Sequence, residues 1–194
     1  MTIGPNFWTQ TFIMRSVAGT LAALDQLSDG LTYLRLSEYL AETATGQENS
    51  GEPCLINGLF DASVANSSTK WKVLADSGAV DSNHYIFPMV CEYAQAGPDF
   101  MNWEHSPSGV SEVNVGSGGT SSPTTISVTW TTIHELQTVV VTPGSKVQFY
   151  VDGSLVATVT TNVPTSKLVR AAELNTNSTT GTKATLWVFG ELLD

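Results

Sequence analysis

Hydrophobic and polar residues alternate most regularly between His134 and Pro164, HELQTVVVTPGSKVQFYVDGSLVATVTTNVP. A period of two puts successive side chains on opposite faces, so the segment predicts three consecutive antiparallel strands. Thr142-Pro143-Gly144-Ser145 carries Pro and Gly at the central positions of a type II turn. Asp152-Gly153 suits a type I′ turn, in which both central residues need positive φ. With two-residue loops, Val140 faces Val147, Thr138 faces Phe149, Leu136 faces Val151, and Val156 lies across from Phe149 on the other side. Leu136, Val140, Val147, Phe149, Val151 and Val156 then share one face. Glu135, Gln137, Lys146, Gln148 and Tyr150 share the other, which is mostly wet. A ribbon with one apolar side is a layer of a sandwich.

Elsewhere the pattern is shorter-ranged. Phe7 to Met14 reads as a first strand, and Ala18 to Leu27, with leucine every third residue, fits a short helix or a loop under a sheet. Leu31 to Leu40 fits helical spacing about as well as alternation and is read as a strand because turn clusters bound it. Cys54 to Phe60, Trp71 to Leu74, Tyr85 to Tyr93 and Phe100 to Trp103 follow as strands, with Pro88 implying a bulge or an edge. Ser106 to Thr125 is rich in Ser, Gly, Thr and Pro and predicts a long exposed loop or a loose hairpin. Ala171 to Leu174 and Lys183 to Leu192 close the chain as strands. No fixed-period repeat or linker divides it, so 1–194 reads as a single β-sandwich domain, with 1–20 an N-terminal arm or edge strand.

Composition narrows the partners. The net charge is −10, and 8 basic residues against 18 acidic ones form no cluster for a nucleic-acid backbone. No apolar run is long enough to span a membrane, and the N-terminus lacks a secretory pattern. The start at Met1 reads as a complete product folded in a cytoplasm. Cys54 and Cys91 are then expected as buried thiols rather than a disulfide, and neither lies in a C-x-x-C or C-x-x-H zinc context.

The run Phe149-Tyr150-Val151-Asp152-Gly153, the following Leu155-Val156-Ala157-Thr158 strand, Thr161-Asn162-Val163-Pro164 and the closing Leu186-Trp187-Val188 resemble the concanavalin A-like, laminin-G-like jelly-roll family. The resemblance is carried by the C-terminal third and extends back to Cys54. It implies an all-β, antiparallel two-sheet jelly-roll sandwich of the lectin/glucanase type. Members with a bare Met start, high Ser/Thr content and no catalytic motif resemble capsid decoration and fibre proteins of phages and viruses. The expectation is therefore a virion structural protein, assembled in the host cytoplasm, acting by binding and not as an enzyme. Its partners would be a major capsid protein or other virion proteins, further copies of itself, and a host surface glycan. A free carbohydrate-binding module is the alternative, and a glycoside hydrolase a further one.

Candidate chemistry is sparse. No strand carries alternating carboxylates of the E-x-D-x-x-E kind, and no nucleophile elbow or phosphate loop is present. His84, His105 and His134 are scattered, and His134 is expected as a hydrogen-bonded core or rim histidine. Asp76, Asp81 and Asn83 depart from calcium-loop spacing and read as turn residues, so neither a metal nor a cofactor is assigned. The candidate glycan-binding residues are Asp99, Asn102, Trp103 and Glu104, an aromatic flanked by groups that could bond sugar hydroxyls. The competing assignment, that Trp103 fills the core, is preferred, and Trp8, Trp71, Trp130 and Trp187 are expected there too.

Overall fold

The computed structural model describes residues 20–28, 30–38, 49–50, 54–77, 79–80, 84–92, 98–176 and 184–193. The strand expected at Phe7 to Met14, Trp8 and the arm up to residue 19 lie outside the described residues. The strands are β1 (Thr20–Gln26), β2 (Thr32–Glu38), β3 (Asn49–Ser50), β4 (Cys54–Asp61), β5 (Ser68–Ala75), β6 (His84–Cys91) and β7 (Phe100–His105). They continue with β8 (Ser111–Ser117), β9 (Thr120–Ile126), β10 (His134–Thr142), β11 (Lys146–Val151), β12 (Ser154–Val159), β13 (Lys167–Thr176) and β14 (Ala184–Leu193). No helix occurs among the described residues.

Two antiparallel sheets result. The first runs β1-β2-β14-β5-β10-β11-β12. The second runs β3-β13-β6-β7-β8-β9, with β4 also paired to β13. Each sheet mixes strands distant in sequence, as a jelly roll requires. Alternation on β5, β10 and β11 sends Trp71, Val73, Leu136, Val140, Val147 and Phe149 inward, where all are at most 1% exposed. Met101, Trp103, Val113, Val115, Ile86 and Leu174 meet them from the second sheet in one apolar cluster. Inside it, the Trp103 indole N–H donates to Thr138 Oγ1 at 3.1 Å and the ring meets Phe149 edge-on at 5.3 Å. At the edges, Asn162 Nδ2 donates to Ser122 Oγ at 2.8 Å, and that hydroxyl also meets Thr161 Oγ1 at 2.7 Å, which ties β9 to the chain leaving β12.

The ribbon β10-β11-β12 has the expected register on its first side: Val140 faces Val147, Thr138 faces Phe149 and Leu136 faces Val151. Asp152 (φ 49°) and Gly153 (φ 79°) both take the left-handed conformation that a type I′ turn demands. The second side differs. Tyr150 faces Leu155 but Phe149 faces Ala157, so Val156 is the extra residue of a bulge and Ala157 takes the buried place expected for it. The first loop is longer than two residues, since Thr142 pairs with Lys146 across Pro143-Gly144-Ser145 and the register shifts at Val141.

Four further expectations are corrected. Residues 20–26 form a strand rather than a helix or loop, because they pair residue for residue with β2. Pro88 lies on a central strand, between β13 and β7, with no bulge. The β6–β7 ladder lapses between Ile86 and Met89, where a proline without N–H can be accommodated. The segment Ser106 to Thr125 is no loose loop but contributes β8 and most of β9, joined by Gly118-Gly119 at φ 60° and 80°. Trp187 is half-buried on the outer face of the first sheet, its neighbours Leu186 and Val188 having taken the inner positions. Trp71 and Trp130 are buried as expected, and Cys91 is buried too.

Candidate functional site

Strand β7 sorts the four candidate residues by the period of two. Met101, Trp103 and His105 point into the core, whereas Phe100, Asn102 and Glu104 lie on the face turned away from it. Trp103 is 0% exposed and committed to Thr138 and Phe149, so it is removed from any glycan site. Asp99 precedes the strand and acts as a tie: Oδ1 accepts the Gly118 N–H at 2.9 Å and Oδ2 accepts the Ser166 hydroxyl at 2.6 Å. Partial burial works to raise its pKa, but the bonds from Ser166, Gly118 and Ser117 outweigh it and hold the carboxyl below the usual value. Only Asn102 and Glu104 remain together on one surface.

That surface is wider than β7. The β7–β8 register sets Asn102 opposite Asn114 and Glu104 opposite Glu112, and the rows run on to Pro123 and Thr125 of β9. On the other side Met89 faces Asn102. Two residues further along β6, Phe87 and Tyr85 occupy the same face, and their rings stack nearly parallel, 8° apart in plane with centroids at 5.6 Å. Both rings are half-buried. At the far end, the Phe100 ring lies over Gly116, its cross-strand partner, and leaves no space there for a side chain.

The electrostatics of the face are unusual. Carboxylates directly opposed on neighbouring strands repel. Burial first, and Glu112 second, push the Glu104 carboxyl up to about 7, against a hydrogen bond from Asn102 that lowers it. The Oδ1 atoms of Asn102 and Asn114 are buried without a hydrogen-bond partner. Asp76 spends Oδ1 on the Ala79 N–H at 2.8 Å, which is turn chemistry; Asp81 and Asn83 lie outside the described residues. No group of three or more His, Cys, Asp or Glu side chains suited to a metal occurs among the described residues. His134 is the rim histidine expected, with Nδ1 2.6 Å from Asp152 Oδ2 and Nε2 2.8 Å from Thr132 Oγ1.

Sequence reasoning missed Tyr85, Phe87, Glu112 and Asn114. The signal for the last two was the alternation Glu112-Val113-Asn114-Val115, which runs through Gly116-Ser117 into the hairpin turn at Gly118-Gly119. Tyr85 and Phe87 were hidden inside a strand that reads as uniformly apolar.

The arrangement of the two sheets has close parallels among solved structures. An endo-β-1,4-glucuronan lyase from Trichoderma reesei aligns over 97% of this chain and 91% of its own, with TM-score 0.62 and 12% identity. A β-glucanase from Bacillus licheniformis covers 96% and 92%, with TM-score 0.61 and 13% identity. The fold is concanavalin A-like. A Bacteroides ovatus mixed-linkage glucan GH16 protein, solved with a product, covers 97% of both chains at TM-score 0.58 and 8% identity. No protein-family model and no curated protein matches the sequence. At such identities the likeness is one of fold, and the jelly roll expected from the C-terminal third extends through the described chain.

Proposed function

We propose that this concanavalin A-like chain is a carbohydrate-binding, lectin-like module whose glycan platform is the outer face of β6, β7 and β8. The observation that carries the reading is the juxtaposition, on that one face, of a stacked aromatic pair with two carboxylates opposed across β7 and β8. An aromatic ring offers an apolar surface to the C–H side of a sugar, and acceptor oxygens beside it take up hydroxyl protons. The solved structures of similar fold include proteins named for glucan and glucuronan, which supports a polysaccharide as ligand.

Isothermal titration of the full chain against soluble β-glucans and uronans tests this. Binding is expected, and Phe87→Ala is expected to weaken it about 10–100-fold with the fold retained, the loss that follows from removing one buried aromatic contact. Binding indifferent to both Phe87→Ala and Tyr85→Ala would overturn the assignment of the face. The same mixtures should be assayed for new reducing ends. Their release, abolished by Glu104→Gln, would assign glycosidic cleavage to the Glu104/Glu112 pair in place of simple binding, with absorbance of an unsaturated end at about 235 nm separating elimination from hydrolysis. The virion reading, with its capsid and self-association partners, draws no support from these neighbours. A decoration or fibre protein would be oligomeric or lattice-bound and indifferent to every glycan.

A further inference from the structure

Thr132, His134 and Asp152 are drawn into one hydrogen-bonded line where the chain enters β10. Thr132 Oγ1 lies 2.8 Å from His134 Nε2, and His134 Nδ1 lies 2.6 Å from Asp152 Oδ2. Each end of the line is anchored without help from the imidazole. Thr132 sits on a turn closed by its N–H to Thr129 O at 3.2 Å. Buried Trp130 pins that turn: its indole N–H donates to Ser111 Oγ at 2.9 Å, and its carbonyl accepts the Ala75 N–H at 2.8 Å. Asp152 opens the type I′ turn at φ 49°, and its Oδ1 accepts the Glu135 N–H at 2.8 Å. Partial burial works to raise the Asp152 carboxyl, but the bonds from Glu135 and His134 outweigh it and hold it below the usual value. A carboxylate there accepts the Nδ1–H of a neutral imidazole, which leaves Nε2 as an acceptor facing a hydroxyl. The Thr132 hydroxyl has Thr129 O in reach as well, at 3.0 Å, so its one proton is divided between a carbonyl and a base. Thr132 and Asp152 are both exposed, and the line is open to solvent.

We propose that Thr132, His134 and Asp152 carry an acyl-transfer activity toward carboxylic esters, with Thr132 as nucleophile, His134 as general base and Asp152 as the group that positions the imidazole. A hydroxyl within hydrogen-bond reach of a base, itself oriented by a third group, is the arrangement that activates a weak nucleophile. Thr132 Oγ1 bonds to the ester carbon as its proton passes to His134 Nε2. The carbonyl then reforms, the bond to the alcohol breaks, and the departing oxygen takes the proton from Nε2. Water repeats the sequence on the acyl-threonine, giving a proton to Nε2 that returns to Thr132 as the carboxylic acid leaves. The exposed setting admits an ester on a bulky carrier as readily as one on a small alcohol. Nothing in this step depends on the glycan reading of the β6-β7-β8 face.

The test is incubation of the full chain with para-nitrophenyl acetate, read by nitrophenolate release and by peptide mass spectrometry for a hydroxylamine-labile acetyl ester. An ester on Thr132 is expected, with the exposed neighbour Thr131 unmodified. Thr132→Ser should retain the ester, whereas Thr132→Val and His134→Ala should abolish it. Asp152→Asn separates positioning from folding. Asparagine tolerates the left-handed turn and keeps an oxygen for the Glu135 N–H, but it offers Nδ1 a donor and so moves the imidazole proton to Nε2. Acylation should then fall about 10²–10⁴-fold at unchanged Tm. Nitrogen chemical shifts of the His134 ring should report the other tautomer. No ester on Thr132, acetylation of Thr131 to the same extent, or an Asp152→Asn rate equal to that of the wild type would overturn the proposal.

Discussion

Trp103 carries the largest single consequence of alternation in this chain. As an aromatic among polar groups it suits a sugar-stacking role, and its two neighbours Asn102 and Glu104 do face outward. The period of two alone dictates that Trp103 cannot share their face, and its setting between Met101 and His105 made the inward position legible. What the sequence could not supply was the partner across the interior, Thr138, thirty-five positions away. Trp103→Ala should cost about 3–5 kcal/mol, the range for deleting a buried aromatic. Thr138→Val keeps the volume but orphans the indole N–H, which should cost about 1–3 kcal/mol. Urea unfolding of both variants checks the pair. A Thr138→Val loss within error of zero would mean that the indole bond contributes nothing net.

Hairpins are the scale at which reading the sequence worked best and also failed most instructively. The β10–β11 register was legible because Val140, Val147, Phe149 and Leu136 make a one-sided apolar stripe, and a one-residue slip would turn it to water. The β11–β12 side was not, because Val156 and Ala157 are both apolar and nothing local says which one is bulged out. Strands β8 and β9 were masked by composition: Ser, Thr and Gly dominate, and only Val113 and Val115 reach full burial. With that hairpin unseen, Glu112 and Asn114 could not be set opposite Glu104 and Asn102, and half of the candidate site disappeared from view. Gly116 gives the element its own test. A methyl group there collides with the Phe100 ring, so Gly116→Ala should destabilise by about 1–3 kcal/mol. In a Phe100→Ala background the same substitution should cost markedly less. Equal losses in both backgrounds, measured by denaturant titration, would show that the ring is not what excludes the side chain.

At the scale of the whole molecule, the shifted carboxyls among the described residues pull stability in opposite directions with pH. Asp99 and Asp152 are held below the usual value of 3.8. In both, partial burial opposes the shift and hydrogen bonds prevail, from Ser166, Gly118 and Ser117 to Asp99 and from Glu135 and His134 to Asp152. A carboxyl depressed on folding stabilises fully above its unfolded value and loses that contribution as pH falls through the folded one. Glu104 works in the opposite sense. Its carboxyl is raised from 4.5 to about 7, so the unfolded chain sheds its proton first and the folded state loses ground as pH climbs between those values. The excess of 18 acidic over 8 basic residues adds general repulsion in the same direction. Urea unfolding followed from about pH 2.5 to 8.5 should therefore show a decline as pH climbs from 4.5 toward 7 and a separate acid limb below 3.8. Glu104→Gln should remove most of the decline toward 7 and leave the acid limb intact. Asp99→Asn should flatten part of the acid limb and leave the decline. A decline that survives Glu104→Gln unchanged would transfer it from this one buried carboxyl to the net charge of the molecule.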